Sequence, residues 1–386
     1  MDEILELINH HTNMRNNALN LVASENIMSE SALSALKSDL NGRYAAELYG
    51  GTRIIREIVD VAVSRLKELF KVNYVNVKPV SGTVSVIATL LAFTKPGDKV
   101  GILSFKNGGF PLNIEGYDRV PVYLPYNNET FTIDEEKIVK LLSEEKPKLV
   151  FLGASQILFP HPVKQVAETV RDYGGIVVYD GSHVMGLIAG GKFQDPLREG
   201  ADLLIGSTHK TFPGPQGGLI LTNDNNVREE IEKVLSRPYM LVDNPHVARI
   251  AALGITTLEM IKYGKSYAQN IVKNSKKLAE ELTRRGIKVK AAKLGYTKTH
   301  QIILEGVSDG VALKDKLEKV NIFIDAIGRI GTQEVTRRGM LEKNMVKVAE
   351  LIYEAIKEKN LDNLKERVAE FAGKFKKVHY SLDEEA

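Results

Sequence analysis

Two charged residues that could take part in catalysis, Lys210 and Asp180, lie at or just beyond the ends of short apolar runs. Lys210 follows the run 203–205, which has the length of a buried strand, and it precedes a loop rich in glycine and proline. Asp180 ends the run 175–180 upstream, and His183 comes three residues later. Desolvation of a lysine at the end of a buried strand favours the neutral amine, which can form a Schiff base with an aldehyde.

The combination with an aspartate decides how this lysine is interpreted. Taken alone, Lys210 has the pattern of a surface lysine at a strand-to-turn junction. An acidic residue at one strand end and a lysine at the next are, however, the parts of a pyridoxal phosphate (PLP) site. In such a site the lysine carries the cofactor aldehyde, and the aspartate keeps the pyridine nitrogen protonated, which makes the ring an electron sink. Asp180 and Lys210 together therefore predict a PLP enzyme.

The length and charge of the chain limit the possible functions. With 386 residues it is long enough for two domains. Its 52 basic and 49 acidic residues leave a net charge of +3, which favours neither nucleic acid nor an anionic membrane as a partner. It has no cysteine for disulfides or thiolate metal sites, and we predict no metal. No apolar run reaches the ~20 residues of a membrane span, and the acidic N-terminus lacks a signal-peptide pattern, so we predict a cytoplasmic enzyme.

Four stretches of the sequence carry a resemblance to a known family. They are Ser207–Gly218, Tyr179–His183, Leu21–Asn26 and Leu294–His300. In them the chain resembles the serine hydroxymethyltransferase family in its shorter archaeal form, from about residue 10 to the end. The resemblance implies the α/β fold of PLP-dependent transferases, similar to aspartate aminotransferase, with a mostly parallel seven-stranded sheet in a large domain and a smaller α/β C-terminal domain. The alternation of short apolar runs with helical stretches also favours a mostly parallel sheet.

The order of the predicted elements suggests how the chain divides into domains. We expect an N-terminal helix that acts as an interface arm in residues 1–20, a large PLP-binding domain in residues 21–262 and a small C-terminal domain in residues 263–386. The boundary falls within a long helix predicted over 248–285, bent or interrupted near Gly264 and ending before Gly286.

The resemblance also implies a set of cofactor-binding residues. Ser81, Gly82 and Thr83 open an apolar helix, where free N–H groups and the positive end of the helix dipole favour a dianion. The alternative is an ordinary N-cap by Ser81. In the family this triplet holds the cofactor phosphate. The other residues implied are Phe110, which stacks on the ring where the family usually has histidine, Ser155 near the ring hydroxyl, Asp180 and His183 against the ring, and Thr208, His209 and Lys210, with His209 as a phosphate neighbour.

Five further residues are implied on the substrate side. Ser24 is expected to approach the substrate, and Arg329 to bind its carboxylate through the bidentate fork of the guanidinium. Glu47 is expected to move protons on the substrate hydroxyl. Tyr44 and Tyr49 would be contributed by a neighbouring subunit, which predicts a homodimer with shared active sites. Without the resemblance, the segment that holds Glu47 and the two tyrosines is simply a tyrosine-rich loop, and it is about five residues shorter than in the family.

We therefore expect a PLP-dependent serine hydroxymethyltransferase that interconverts serine and glycine with a tetrahydropterin as one-carbon acceptor. One departure from the family keeps alternatives open. Only four residues separate Ile324 from Arg329, where the family commonly has a loop of some twenty that contacts the pterin. The shorter connection favours a pterin-independent threonine or allo-threonine aldolase, or an amino-acid racemase of the same fold. A non-catalytic homologue that binds PLP is a further alternative.

Overall fold

The protein is described by a computed structural model, which covers residues 2–359 and 363–384. The chain divides into two compact units. The C-terminal unit consists of Met1–Ile27 and Ser266–Tyr380, and the central unit consists of Met28–Lys265 and Ser381–Ala386. The predicted ranges 1–20, 21–262 and 263–386 assign residues 21–27 differently, to the larger domain.

The secondary structure of the described residues alternates helices and strands along most of the chain. The helices are α1 (Glu3–Asn16), α2 (Glu30–Leu36), α3 (Arg53–Phe70), α4 (Gly82–Phe93), α5 (Glu135–Glu145), α6 (Val163–Asp172), α7 (Met185–Ala189), α8 (Asn225–Leu235), α9 (Val247–Arg284), α10 (Gly310–Glu318), α11 (Gln333–Arg337), α12 (Glu342–Ile356) and α13 (Leu364–Ala372). The strands are β1 (Leu19–Asn20), β2 (Tyr74–Asn76), β3 (Lys99–Ile102), β4 (Val120–Tyr123), β5 (Tyr126–Asn127), β6 (Thr132–Ile133), β7 (Leu149–Leu152), β8 (Ile176–Asp180), β9 (Leu203–Ser207), β10 (Gly218–Thr222), β11 (Gln301–Ile303), β12 (Ile322–Phe323) and β13 (Arg329–Gly331).

A seven-stranded sheet forms the centre of the central unit, in the order β2-β10-β9-β8-β7-β3-β4. The neighbours from β9 to β4 pair in parallel, whereas β10 runs antiparallel to both β9 and β2. This confirms the predicted mostly parallel sheet. Because parallel strands end at the same edge, β7, β8 and β9 all deliver the residues that follow them to one side of the sheet.

The sheet is covered by helices because its middle strands are apolar on both faces. Every residue of β7, β9 and β10 is buried. Such continuous apolar runs are typical of a parallel sheet with helices on either side. The apolar helix α4 packs against β9, β10 and α8, and its residues Val86 and Leu90 lie in the same core as Leu203 and Ile205.

The C-terminal unit has a core of its own, to which the start of the chain contributes. β1 pairs in parallel with β12, and β11 pairs antiparallel with β13. Leu19 and Leu21 are fully buried in this core, which explains why residues 21–27 belong to this unit. The N-terminal helix is shorter than the predicted range 1–20 because α1 ends at Asn16 and β1 follows.

Two helices of the C-terminal half test the sequence reading directly. The helical spacing of Met345, Val348, Ile352 and Ala355 on α12 predicts a one-sided apolar stripe that packs in the core, and all four side chains are buried. The helix α9 is continuous through Gly264, so the predicted interruption there is wrong. The helix ends before Gly286, whose φ of 84° matches the predicted C-cap. In the described part of the chain, no helix combines the length and apolar character needed to span a membrane.

Candidate active site

A cavity of about 190 Å³ lies at the carboxyl edge of the seven-stranded sheet. Nine of the predicted site residues line it: Ser81, Gly82, Thr83, Phe110, Ser155, Asp180, His183, His209 and Lys210. Sequence reasoning missed the other lining residues, which are Val86, Gly153, Ala154, Ser182 and Ser207. Gly153, Ala154 and Ser182 follow β7 and β8, Ser207 ends β9, and Val86 lies on α4. Ser182 and Ser207 fall within the stretches that carry the family resemblance, whereas for the other three the signal is their nearness to a predicted strand end or helix start.

Lys210 reaches the cavity from the loop that follows β9. Its Nζ lies 3.4 Å from Oγ of Ser207, and that oxygen lies 3.3 Å from Oγ of Ser182. The loop is tied to the turn after β8, because Oγ1 of Thr211 donates to the His183 carbonyl at 2.8 Å and accepts from the Gly186 N–H at 3.0 Å. These bonds fix the lysine beside the end of the neighbouring strand.

Asp180 is the last residue of β8 and is held by the turn that follows it. Its Oδ1 accepts a hydrogen bond from the backbone N–H of Ser182 at 2.9 Å. Gly153, with φ of 105°, brings the end of β7 so close to the Asp180 carbonyl that a Cβ would have no room there. The Ser182 N–H thus orients the carboxylate, while the close approach of Gly153 fixes the backbone of Asp180 in the cavity wall.

The N-terminus of α4 forms another wall. Oγ of Ser81 accepts from the Val84 N–H at 3.1 Å, so Ser81 is an N-cap, as the alternative reading of the triplet had it. The N–H groups of the first turn remain at the cavity with the positive end of the helix dipole. Gly82 cannot carry a side chain because a Cβ would overlap Oγ of Ser207. The cap and a site for an anion are therefore compatible at this helix.

His209 lines the cavity with a buried nitrogen that lacks a partner. Its Nδ1 makes no hydrogen bond to any described residue of the chain. Burial, and then the charge of Lys210, lower the pKa of His209 to about 4, so its imidazole is neutral at physiological pH. An orphaned buried polar atom in a cavity wall indicates that a bound group supplies the missing partner.

Thr208 differs from its neighbours in the lysine motif. It is fully buried, and within the described chain it is not one of the residues that line the cavity. Its Oγ1 donates to the Pro215 carbonyl at 2.6 Å, and its N–H donates to the Gly217 carbonyl at 3.2 Å. The hydroxyl therefore orders the loop of glycines and prolines that follows Lys210.

Glu47, Tyr44 and Tyr49 lie on an exposed loop before α3. Glu47 forms an ion pair with Arg56, and the rings of the two tyrosines are 4.7 Å apart. Among the described residues, these three are not part of the cavity wall around Lys210. Glu47 instead borders a separate groove of about 590 Å³ that also includes Arg56 and Lys78.

Ser24 and Arg329 belong to adjacent segments of the C-terminal unit. Arg329 begins β13 and is 7% exposed. Two residues later, the Gly331 N–H donates to the Leu21 carbonyl at 2.8 Å, so the segment after β1 runs alongside β13.

Two buried side chains hold the segment around Ser24 in place. Nε2 of Gln333 donates to the carbonyls of Val22 and Glu25 at 2.7 and 2.6 Å. Nε2 of His300, which the sequence left unassigned, lies 3.0 Å from the Ala23 carbonyl. Neither contact has a signal in the sequence, because each joins segments about 280 or more residues apart.

Comparisons with known proteins agree with this geometry. The sequence model of the family described as serine hydroxymethyltransferase matches residues 1–352. The chain is 40% identical over 411 residues to a serine hydroxymethyltransferase of Methanothermobacter marburgensis, covering 99% of this chain and 96% of that protein. It is also 40% identical over 417 residues to one of Pyrococcus abyssi, covering 99% and 97%.

A solved structure shows the same fold. The L-threonine transaldolase from Pseudomonas fluorescens, in its internal aldimine state, superposes with a TM-score of 0.90 at 26% identity, covering 99% of this chain and 94% of that one. The predicted α/β fold of PLP-dependent transferases is thereby confirmed. With a family match over nine-tenths of its length and relatives at 40% identity over almost all of it, the chain belongs to the serine hydroxymethyltransferase family.

Proposed function

We propose that this chain is a PLP-dependent hydroxymethyltransferase that interconverts serine and glycine, with a tetrahydropterin as the one-carbon acceptor. One observation carries the proposal. Lys210, Asp180 and the N-terminus of α4 meet around a single cavity at the carboxyl edge of a mostly parallel sheet. An amine, a carboxylate and an anion-binding helix end are the three groups needed for the aldehyde, the pyridine nitrogen and the phosphate of one cofactor.

The residues present fit this cofactor. The first turn of α4 presents N–H groups to an anion, and the orphaned Nδ1 of His209 indicates a missing polar partner in the same wall. Phe110, which is 39% exposed, offers an aromatic face on the cavity that is suited to stacking on a flat ring. We propose that Ser155 and His183 complete the wall around the ring. Thr208 acts indirectly in this scheme, by ordering the loop behind His209.

Pyridoxal phosphate, when bound, supplies an electron-accepting ring that stabilises the carbanion formed at Cα when the Cα–Cβ bond of the amino acid breaks. The chain's own residues prepare that step. Lys210 would hold the aldehyde of the cofactor through its side-chain amine. Asp180, fixed by the Ser182 N–H, keeps a proton on the pyridine nitrogen. Phe110 sets the plane of the ring but, unlike histidine, can neither donate nor carry a proton.

On the substrate side, the proposal assigns two tasks to the C-terminal unit. Arg329 holds the amino-acid carboxylate through its guanidinium, which fixes the substrate in one orientation. Ser24 approaches the same substrate, and its segment runs beside the strand that Arg329 begins. The proton of the substrate hydroxyl is left to Glu47 or to a tyrosine of the same loop.

Such a role for Glu47 requires a second copy of the chain, and we propose a homodimer with shared active sites. The exposed loop carries apolar side chains: Leu48 is 77% exposed, and Tyr44 and Tyr49 are more than two-fifths exposed. None of the described residues of α1 is buried, although it carries Ile4, Leu5, Leu7 and Ile8. Apolar surface of this kind is typical of a protein–protein interface.

An assay of bond cleavage tests the function. The purified protein is given serine with and without a tetrahydropterin, and glycine formation is measured alongside the cleavage of allo-threonine. The hydroxymethyltransferase predicts serine cleavage that depends on the pterin. If serine is cleaved at the same rate with and without the pterin, and more slowly than allo-threonine, the enzyme is an aldolase. The short connection between Ile324 and Arg329 favours that alternative. Exchange of the Cα proton of glycine, followed by NMR, would be absent in a non-catalytic homologue.

A further inference from the structure

Arg249, the third residue of α9, is a buried arginine whose hydrogen bonds are incomplete. It is 5% exposed, and its Nη2 donates to the Val77 carbonyl at 2.6 Å. Its Nε and Nη1 are buried and make no hydrogen bond within residues 2–359 and 363–384, where it also has no carboxylate at ion-pair distance. Burial lowers the pKa of Arg249 to about 10, so the guanidinium is still charged at neutral pH.

A second buried arginine shows how the same unit satisfies a guanidinium that serves structure alone. Arg119 is 8% exposed, and all three of its nitrogens donate. Nε bonds to Oγ1 of Thr94 at 2.9 Å, Nη2 to the Thr94 carbonyl at 2.7 Å, and Nη1 to the Tyr117 carbonyl at 2.5 Å. Leaving donors of a buried charge unpaired is costly, so the different state of Arg249 requires an explanation.

The position of Arg249 supplies that explanation. Its Nη1 lies 2.5 Å from the point where a Cβ on Gly217 would be, and Oγ1 of Thr208 lies 3.1 Å from the same point. The guanidinium therefore packs behind the loop that carries His209 into the cavity. On its other side it binds the carbonyl of Val77, in the segment that leads from β2 to Ser81. Arg249 thus joins the two segments that form the phosphate end of the cavity.

The cavity has few other positive charges for a phosphate dianion. None of the described residues that line it is an arginine. Lys210 is engaged with the aldehyde when the cofactor is bound, and His209 is neutral. The dipole of α4 contributes only about half an elementary charge. A charge placed directly behind the wall, in a region of low dielectric, is then the strongest remaining attraction for the phosphate.

We propose that Arg249 is a positioning residue for the cofactor phosphate, which attracts the dianion electrostatically through the Thr208–Gly217 loop and holds that loop against the Val77 segment. This inference rests on the proposed function. It explains why the buried charge has no acidic partner among the described residues, because the anion that balances it arrives with the cofactor. It also explains why position 217 is a glycine, since a side chain there would displace the guanidinium.

The test compares two forms of vitamin B6 that differ only in the phosphate. The full chain and its variant R249Q are stripped of cofactor, and the dissociation constants of PLP and of unphosphorylated pyridoxal are measured by equilibrium dialysis. Both aldehydes can react with Lys210, so the ratio of the two constants isolates the phosphate. For R249Q we expect PLP to bind at least roughly tenfold more weakly, a change of about 1.4 kcal/mol, with pyridoxal changed by less than about twofold. Glutamine removes the charge but keeps a polar side chain with an amide donor.

Two further variants separate charge from structure. R119Q removes a buried arginine of the same unit whose three nitrogens all donate, and it should leave the PLP to pyridoxal ratio unchanged, even if stability falls. G217A keeps Arg249 but displaces its guanidinium. We expect it to weaken the binding of PLP more than that of pyridoxal. This variant tests the inference if R249Q does not fold. Equal losses of affinity for PLP and pyridoxal, or an unchanged ratio of their dissociation constants in R249Q and G217A, would overturn this inference and leave the proposed function intact. A wild-type chain that binds neither vitamer would overturn the proposed function together with it.

Discussion

Arg329 and Asp325 are joined across the tight turn that connects β12 to β13. Nε of Arg329 donates to Oδ2 of Asp325 at 2.7 Å, while Oδ1 accepts from the backbone N–H groups of Ile327 and Arg329 at 3.2 and 3.3 Å. Gly328, with φ of 70°, allows the chain to reverse there. One carboxylate thus closes the turn and holds one edge of the guanidinium, in the place where the family commonly has a longer loop.

Replacing Asp325 by asparagine tests whether this contact prepares Arg329 for a substrate. Asparagine keeps an acceptor for the turn but loses the charge-assisted bond, which is worth roughly 1.5–3 kcal/mol. We expect the KM for serine to rise about tenfold or more with little change in kcat. Steady-state kinetics would reveal this, with Asp309→Asn on the exposed N-cap of α10 as the control. An unchanged KM would show that Asp325 serves the turn alone.

The substitution Arg329→Ala should weaken the binding of serine while leaving the cofactor bound. The variant loses the proposed carboxylate partner, and we expect serine affinity to fall by about two orders of magnitude, as for the loss of a bidentate charged pair. Absorbance of the bound cofactor and titration with serine measure the two properties on the same sample. Loss of cofactor together with substrate would contradict the assignment of Arg329.

Lys210→Ala should abolish covalent attachment of the cofactor and, with it, the absorption band near the edge of the visible range. Turnover should fall by at least about three orders of magnitude, since the residue that forms the covalent bond is gone. Lys148→Ala is a suitable control because Lys148 is exposed and precedes β7, at the opposite edge of the sheet. Full activity of the Lys210 variant would refute the central proposal.

The substitution Phe110→Ala should lower the affinity for PLP without abolishing its binding. Offset stacking of an aromatic pair is worth about 0.5–1.5 kcal/mol, so the dissociation constant of PLP should rise about fivefold. Phe110→Tyr keeps the ring face and should bind as the wild type does. If the alanine variant binds PLP normally, the exposed ring of Phe110 serves another purpose.

A buried histidine away from the cavity should make stability depend on pH. His161 is held by Thr132 and Gln194, and burial lowers its pKa from 6.5 to about 4. Its folded form is therefore neutral where the unfolded chain is already protonated. The contribution of neutral His161 to the free energy of unfolding is complete above pH 6.5. It is lost as the pH falls towards 4, and the total loss is about 3 kcal/mol.

His161→Gln should flatten this part of the profile, whatever its effect on the absolute stability. Urea unfolding between pH 6.5 and 4 gives the slope of the unfolding free energy for each variant. His10→Gln, on the exposed helix α1, should leave the slope unchanged. A slope for His161→Gln equal to that of the wild type would show that other groups govern the acid side.

The sequence alone was sufficient for the parts that depend on local pattern. Apolar runs with β-branched residues located β8 and β9, and the residues at their ends, Asp180 and Lys210, follow from the rule that parallel strands end at one edge. The start of α4 at a hydroxyl residue followed by glycine could also be predicted, because a helix start depends on a few neighbouring residues. Motif spacing then identified the family, which the comparisons confirm.

Only the tertiary structure decided where side chains point when their partners are distant in sequence. Thr208 lies inside the lysine motif but turns to the Pro215 carbonyl, and Arg249 carries no motif yet packs behind the cavity. Residues 21–27 belong with strands three hundred residues later because β1 pairs with β12. The physical reason is common to these cases. Periodicity records which face of an element is apolar, whereas the direction of a polar group is set by whichever donor or acceptor the fold brings within 3 Å of it.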